Sequence, residues 1–219
     1  MSRAVNAAKL DYLTGRSTYG TFAVLLVLAA AVGIMSKQPL ITMIIAMIFA
    51  VYLGGTVFSA HEKSNSDKLY GILPLTRAEM IAGRYLYGFV IGVAGMAIAS
   101  ALTLIVSLIR GVQLNSFTFW GALTLSFVYF CFALGVSYPI YMRFSFAKAY
   151  VFTMLPMYLI GVAAMLITSK TDLLNGIAQG VQFFADKQYL LPVFGLLIGL
   201  ILLAVSAVIA NLIYAGKEI

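Results

Sequence analysis

The side chains that could carry out acid, base or metal chemistry are few and widely spaced in this sequence. There is one histidine, His61, one cysteine, Cys131, and seven acidic residues, all of which lie outside the long apolar stretches. A catalytic zinc needs about three protein ligands, and a general base or activated nucleophile needs titratable neighbours. The sequence shows neither pattern, and it has no glycine-rich phosphate-binding loop with its lysine. We therefore expect the chain not to be an enzyme, and we interpret His61 and Cys131 as structural residues.

The composition places the chain in a membrane. Of its 219 residues, 63% are apolar and 10% are charged, whereas a soluble domain is about half apolar and a quarter charged. So much apolar surface could not be hidden from water without lipid. The net charge of +7 reflects basic residues that flank apolar spans, a usual sign of membrane topology. We expect membrane lipids, and no nucleic acid, as partners.

Charge-free runs predict the helices that cross the membrane, because a spanning helix takes about 20 apolar residues. Six runs are long enough: 17–36, 38–61, 85–109, 111–142, 149–169 and 188–216. Only Lys37 separates the first two runs and only Arg110 separates the third from the fourth, which predicts tight turns there. We expect an all-α membrane protein, a single domain over 1–219 with six transmembrane helices.

The basic residues predict the orientation, since they are retained on the cytoplasmic side of short loops. With the N-terminus inside, ten bases lie on inner segments and four on outer ones. Both termini are therefore expected to be cytoplasmic. An alternative is that the first run is a cleaved signal peptide, because Ala29 to Ala31 provide small residues at its end; five spans would then remain.

Prolines and small residues inside the runs predict how the helices pack. Pro139 and Pro156 each remove a backbone donor, so a neighbouring group or water is expected to satisfy the freed carbonyl. Small residues at helical spacing favour close packing within the chain, with a dimer face as the alternative. They lie in the third and last runs: Gly88, Gly92, Gly95, Ala99, Gly195 and Gly199.

The inner connection 61–84 is the most informative segment. It is highly charged, yet it carries an apolar group between Leu69 and Leu75. Pro74 disfavours helix at the residue before it, and Thr76 with Glu79 has the spacing of a capping box. A helix is therefore expected to begin near Arg77 and continue into the third span. An apolar cluster held by a capped helix favours a docking surface over a solvated turn.

These residues carry a family resemblance. Glu62 and Lys63 close a span, a Leu-Pro-Leu-Thr-Arg stretch follows at 73–77, and Arg-Tyr-Leu opens the next span at 84–86. This order resembles that of bacterial ABC type-2 exporter permeases. The leader, with Lys9, Asp11 and Arg16, is also similar to theirs, and the spacing of its apolar residues suits an amphipathic interfacial helix over 1–16.

The resemblance implies a permease of the bacterial inner membrane that pairs with a second copy or a paralogue. Each half would dock a cytoplasmic ABC ATPase subunit, so ATP and Mg²⁺ would bind that partner and this chain would hold no cofactor. An outer loop over 169–189 would contain a short amphipathic helix. The connection 61–84 would be the coupling loop, and its residues nearest the ATPase would be Leu73, Pro74, Leu75, Thr76, Arg77 and Glu79.

Hydroxyl, aromatic and methionine side chains in the spans indicate an amphipathic or apolar cargo, such as a peptide, lipid or drug. Three alternatives remain from other classes. A substrate-capture subunit of an uptake transporter would bind a small metabolite tightly as the isolated chain. A membrane enzyme acting on lipid or peptide would turn over without an ATPase. A structural or immunity protein would use the same loop to dock a partner that is not an ATPase.

Overall fold

The computed structural model describes residues 3–36, 39–63, 76–144, 146, 148–149, 187–188 and 190–215. Six long helices cover nearly all of this part, and it contains no strand. In chain order they are α1 (Arg3–Gly15), α2 (Tyr19–Met35), α3 (Pro39–Lys63), α4 (Arg77–Arg110), α5 (Ser116–Arg143) and α6 (Leu190–Ala215). A 3-10 turn, Arg16–Thr18, joins α1 to α2. The all-α expectation is confirmed.

Five helical stretches are long and apolar enough to cross a membrane. They are Arg3–Met35, Pro39–Glu62, Ala78–Arg110, Ser116–Arg143 and Leu190–Ile213. Each contains or overlaps one of the charge-free runs. The remaining run, 149–169, lies outside the described residues except for Ala149, and so does the outer loop 169–189 except for 187–188.

Helix α5 lies between α3 and α6, while α4 packs against α1 and α3. Glycines on α4 allow these close approaches. A Cβ on Gly88 would lie 2.7 Å from the Tyr138 hydroxyl, and one on Gly92 would collide with the Phe130 ring. Ala99, two turns further along α4, is fully buried. The small residues of this helix therefore serve packing inside the chain, as predicted.

The last helix contacts α5 in the same way. A Cβ on Gly195 would lie 2.7 Å from the Thr124 methyl group, and one on Gly199 would lie 2.8 Å from the Cys131 sulfur. Cys131 is completely buried at this contact. Its sulfur thus fills space between two helices, in agreement with its interpretation as a small buried apolar residue.

The connection between α4 and α5 is longer than the tight turn expected at Arg110. Gly111 takes a left-handed conformation, with φ 65°, and ends α4. The Asn115 side chain then accepts a hydrogen bond of 2.9 Å from the Phe117 backbone N–H and caps α5. Glycine is favoured at such a helix end because it has no Cβ. The charge-free run thus begins at Gly111, whereas the helix begins at Ser116.

Candidate functional site

The start of α4 is held by a complete capping box. The Thr76 backbone N–H and hydroxyl both donate to Glu79 Oε2, at 2.8 and 2.9 Å, and the Glu79 backbone N–H donates to the Thr76 hydroxyl at 3.3 Å. These bonds satisfy backbone groups that the first turn of a helix leaves without partners. The predicted helix start near Arg77 is therefore confirmed.

The structure describes only part of the predicted coupling residues. Leu73, Pro74 and Leu75 lie outside the described residues, and Arg77 is described by its backbone alone. Thr76 is exposed at the N-cap. The proposed docking stretch therefore ends directly at a helix start whose first turn is fixed in one conformation.

Helix α1 lies across the first turns of α4. A Cβ on Gly83 would lie 2.6 Å from the Ala7 Cβ and 2.8 Å from the Ala4 carbonyl oxygen. Such a close approach of two backbones needs glycine on one side. Any movement of the capped end of α4 therefore acts directly on the N-terminal helix.

A buried hydrogen-bonded pair of side chains joins α1 to the end of α3. Asp11 is 1% exposed and His61 is 5% exposed, and Asp11 Oδ1 lies 2.8 Å from His61 Nε2. Buried carboxylates need hydrogen-bonded partners, so this bond fixes which face of α1 turns inward. The two residues are fifty positions apart, and sequence reasoning did not pair them. The signal was available, since Asp11 is the lone acid of the leader and His61 the lone histidine.

Arg84 contributes a buried cation on α4. It is 7% exposed, and its guanidinium carbon lies 4.8 Å from the centroid of the Phe58 ring on α3. The Phe58 ring meets Tyr138 of α5 edge to face, at 5.1 Å between centroids. A cation over an aromatic face is attracted by the ring quadrupole. The Arg84 side chain therefore links α4 to α3 and, through Phe58, to α5.

A hydrogen-bonded relay connects α4, α6 and α5. The Tyr85 and Ser206 hydroxyl oxygens lie 2.6 Å apart, and Ser206 Oγ donates to the Gly135 carbonyl at 2.5 Å. Pro139 stands four residues after Gly135, so it cannot supply the usual helical donor to that carbonyl. The expectation that a neighbouring group satisfies the carbonyl freed by Pro139 is confirmed, and the neighbour is Ser206.

This relay gives a direct test by substitution. Ser206→Ala should destabilise the chain by about 1–2 kcal/mol, because it leaves the half-buried Gly135 carbonyl without a donor. In a Pro139→Ala background the loss should be smaller, since alanine restores a backbone N–H to that carbonyl. Unfolding by sodium dodecyl sulfate in detergent micelles would measure both. Ser100→Ala is the control, because the Ser100 hydroxyl bonds only the Ala97 carbonyl of its own helix in the described contacts; equal losses in both backgrounds would contradict the prediction.

The end of α3 is also tied to the chain that follows α5. Glu62 Oε2 accepts a hydrogen bond of 2.7 Å from the Phe146 backbone N–H. Phe146 in turn stacks on Tyr141, with the centroids 5.1 Å apart. The acid at the end of α3 therefore holds the backbone at Phe146, three residues after α5.

The polar side chains near the start of α4 connect several helices of the bundle. We define the α4 junction as Thr76, Glu79, Asp11, His61 and Arg84. It brings together α1, α3 and α4, and Tyr85 extends it to α5 and α6. Within the described ranges, no three His, Cys, Asp or Glu side chains cluster as a metal site would require. The junction together with Tyr85 therefore connects five helices.

Comparison with known proteins covers nearly the whole chain. A family model described as ABC-2 family transporter protein matches residues 9–215. That range includes the α4 junction and every described helix from the middle of α1 onward. A search of curated proteins finds no significant match.

Proposed function

The chain belongs to the ABC-2 transporter family, and from this membership we propose that it forms one half of a dimeric export path driven by separate ATPase subunits. As a member of that family it is a transmembrane component of an ABC transporter, and the family is a transport component that is not itself catalytic. The ATPases would supply the energy by binding and hydrolysing ATP with Mg²⁺. The chain would form the translocation path, and its helices would move when the ATPases close and open.

The observation that carries this proposal is the continuity of α4 from its cap through the membrane. The helix runs over 34 residues from the capping box to Arg110, a length of about 50 Å at 1.5 Å per residue. A capped helix without an internal proline moves as one element. A displacement at the segment before Thr76 would therefore reach the opposite side of the membrane.

The α4 junction would distribute that displacement to the other helices. The Gly83 contact connects α4 to α1, the Asp11–His61 pair connects α1 to α3, and the Tyr85–Ser206 relay connects α4 to α6 and α5. Packed interfaces shift between discrete arrangements when they are displaced. The bundle would thus alternate between two arrangements of the path as the ATPases close and open.

The orientation follows from the same proposal. The connection 61–84 would face the cytoplasm, where the ATPase binds through Leu73, Pro74, Leu75, Thr76, Arg77 and Glu79. Both termini would lie on that side, and α1 would lie in the membrane interface, with its exposed Tyr12 and Leu13 toward lipid. The membrane would be the bacterial inner membrane, and the cargo would be an amphipathic or apolar peptide, lipid or drug.

A pull-down in mild detergent tests the proposal. The tagged chain would be purified from its native membranes, and the proteins that follow it would be identified by mass spectrometry. We expect a stoichiometric nucleotide-binding subunit, with either a second copy of the chain or a paralogue. Recovery of the chain without an ATPase at every detergent strength would overturn the proposal in favour of a capture subunit or a structural protein.

The capping box gives a milder test of coupling. Thr76→Ala should destabilise the start of α4 by about 1 kcal/mol, so the chain should insert normally while transport per ATP hydrolysed decreases. Asn115→Ala is the matched control, because it removes the cap of α5 at the other end of α4. Transport and ATP hydrolysis would be measured together in proteoliposomes. An equal decrease in both variants would show that the position of the cap does not matter and would contradict the prediction.

A further inference from the structure

An open apolar groove of about 580 Å³ runs between α1, α2 and α4. One wall of the groove is formed by residues of α4 that are spaced four positions apart: Leu86, Val90, Ala94 and Ile98. Val90 is 56% exposed and Ile98 41% exposed, so the groove opens to the outside of the bundle. Within a membrane, that outside is lipid.

The length of the groove along α4 is close to the hydrocarbon thickness of one bilayer leaflet. From Leu86 to Ile98 the wall rises over twelve residues, about 18 Å, and half of the hydrocarbon core of a bilayer is about 15 Å. Phe22 of α2 forms the facing wall. The space therefore fits a single extended acyl chain that enters at the Leu86 end.

A basic residue lies at that end. Among the described residues, Lys9 of α1 is the only charged one that lines the groove, and its side chain is exposed. Helix α1 meets α4 where Ala7 faces Gly83, and the charge-free part of α4 begins at Tyr85. Lys9 therefore lies where hydrocarbon gives way to headgroups.

The burial of Asp11 removes the one acid of the α1 segment from this surface. Asp11 is the only acid of residues 3–18, and it is turned inward to His61. The exposed charges of that segment are Arg3, Lys9 and Arg16. Of these bases Lys9 lines the groove, and no exposed acid of residues 3–18 lies beside it to repel an anionic headgroup.

We propose that the groove binds one anionic phospholipid, with an acyl chain along α4 and the phosphate at Lys9. The bound lipid would hold α1 against α4 at the α4 junction. This assignment goes beyond the proposed function, because it gives the chain a resident ligand whatever cargo it carries and whatever partner it docks.

Lipid retention measured by native mass spectrometry tests the site. The purified chain would be titrated in detergent with dioleoylphosphatidylglycerol and dioleoylphosphatidylcholine in competition. We expect one phosphatidylglycerol per chain to be retained. Ala94→Phe should reduce retention at least tenfold by filling the groove, whereas Ala97→Phe, exposed on the same helix but outside the groove, should not.

The headgroup is tested separately. One lysine near an anionic surface contributes about a fivefold preference, so Lys9→Gln should lower the preference for phosphatidylglycerol by about that factor. Lys148→Gln, exposed and away from the groove, is the charge control. Equal retention of the two lipids by the unaltered chain would overturn the proposal, and so would full retention by Ala94→Phe. Loss of a dimer in Ala94→Phe with unchanged lipid would assign the groove to a second copy and also overturn it.

Discussion

Replacing Asp11 by alanine is expected to destabilise the chain by about 2–3 kcal/mol, the largest stability effect of one substitution that we predict, because it removes a buried hydrogen bond to His61. Asp11 and His61 are both almost fully buried, and their side chains lie 2.8 Å apart. Removing one partner leaves the other in an environment of low polarity without its hydrogen bond. Because the pair connects α1 to α3, we expect α1 to detach from the bundle before the other helices unfold.

Two measurements check this result. Unfolding by sodium dodecyl sulfate would give the change in stability, and trypsin cleavage after Arg16 should become faster as α1 detaches. Asn6→Ala is the matched control on the exposed side of α1, and we expect a change within about 0.5 kcal/mol. The double variant Asp11→Ala with His61→Ala should lose at least about 1 kcal/mol less than the sum of the single losses. Simple additivity would contradict a direct interaction between the two residues.

The largest effect on function is expected from Leu73→Asp combined with Arg77→Glu. These substitutions place acids where the proposed docking surface presents an apolar anchor and a base. Central anchors of an interface each contribute about 2 kcal/mol or more, and about 1.4 kcal/mol corresponds to a tenfold change in affinity. Co-purification with the ATPase should therefore fall at least tenfold, and transport should fall with it.

A matched control exists at the other end of α4. Val112→Asp combined with Arg110→Glu also replaces an aliphatic residue by Asp and an arginine by Glu, here at the end of α4 and in its connection to α5, where Val112 is 40% exposed. This variant should keep its ATPase. Both variants should unfold at the same concentration of sodium dodecyl sulfate as the unaltered chain. If the chain altered at Leu73 and Arg77 still co-purified fully, the proposed docking surface would be wrong.

Features that depend on neighbouring residues were predictable from the sequence. The capping box lies within residues 76–79, and its hydrogen bonds form whatever the rest of the bundle does. Charge-free length alone identifies a spanning helix, because a charge at the membrane centre is expensive. Pro139 lacks a donor in any fold, so a freed carbonyl at Gly135 follows from the sequence.

The partners of these groups were not predictable. Ser206 satisfies Gly135 from 71 residues away, and His61 meets Asp11 from fifty residues away. Each pairing depends on how two helices are rotated about their axes and at what height they cross. Apolar residues lie on more than one side of α1, so the sequence of this helix did not show that Ala7, Asp11 and Gly15 face the bundle.

The sequence by itself determined that the chain is a helical membrane protein, where α4 begins, and which small residues permit close packing. Tertiary structure alone decided which face of each helix turns inward, and hence the α4 junction and the groove beside α1. The physical reason is that lipid, and not water, surrounds the spanning helices. In water, apolar periodicity marks the buried face of a helix, but lipid and protein interior both accept apolar side chains. Only the packing of the whole bundle distinguishes the two faces.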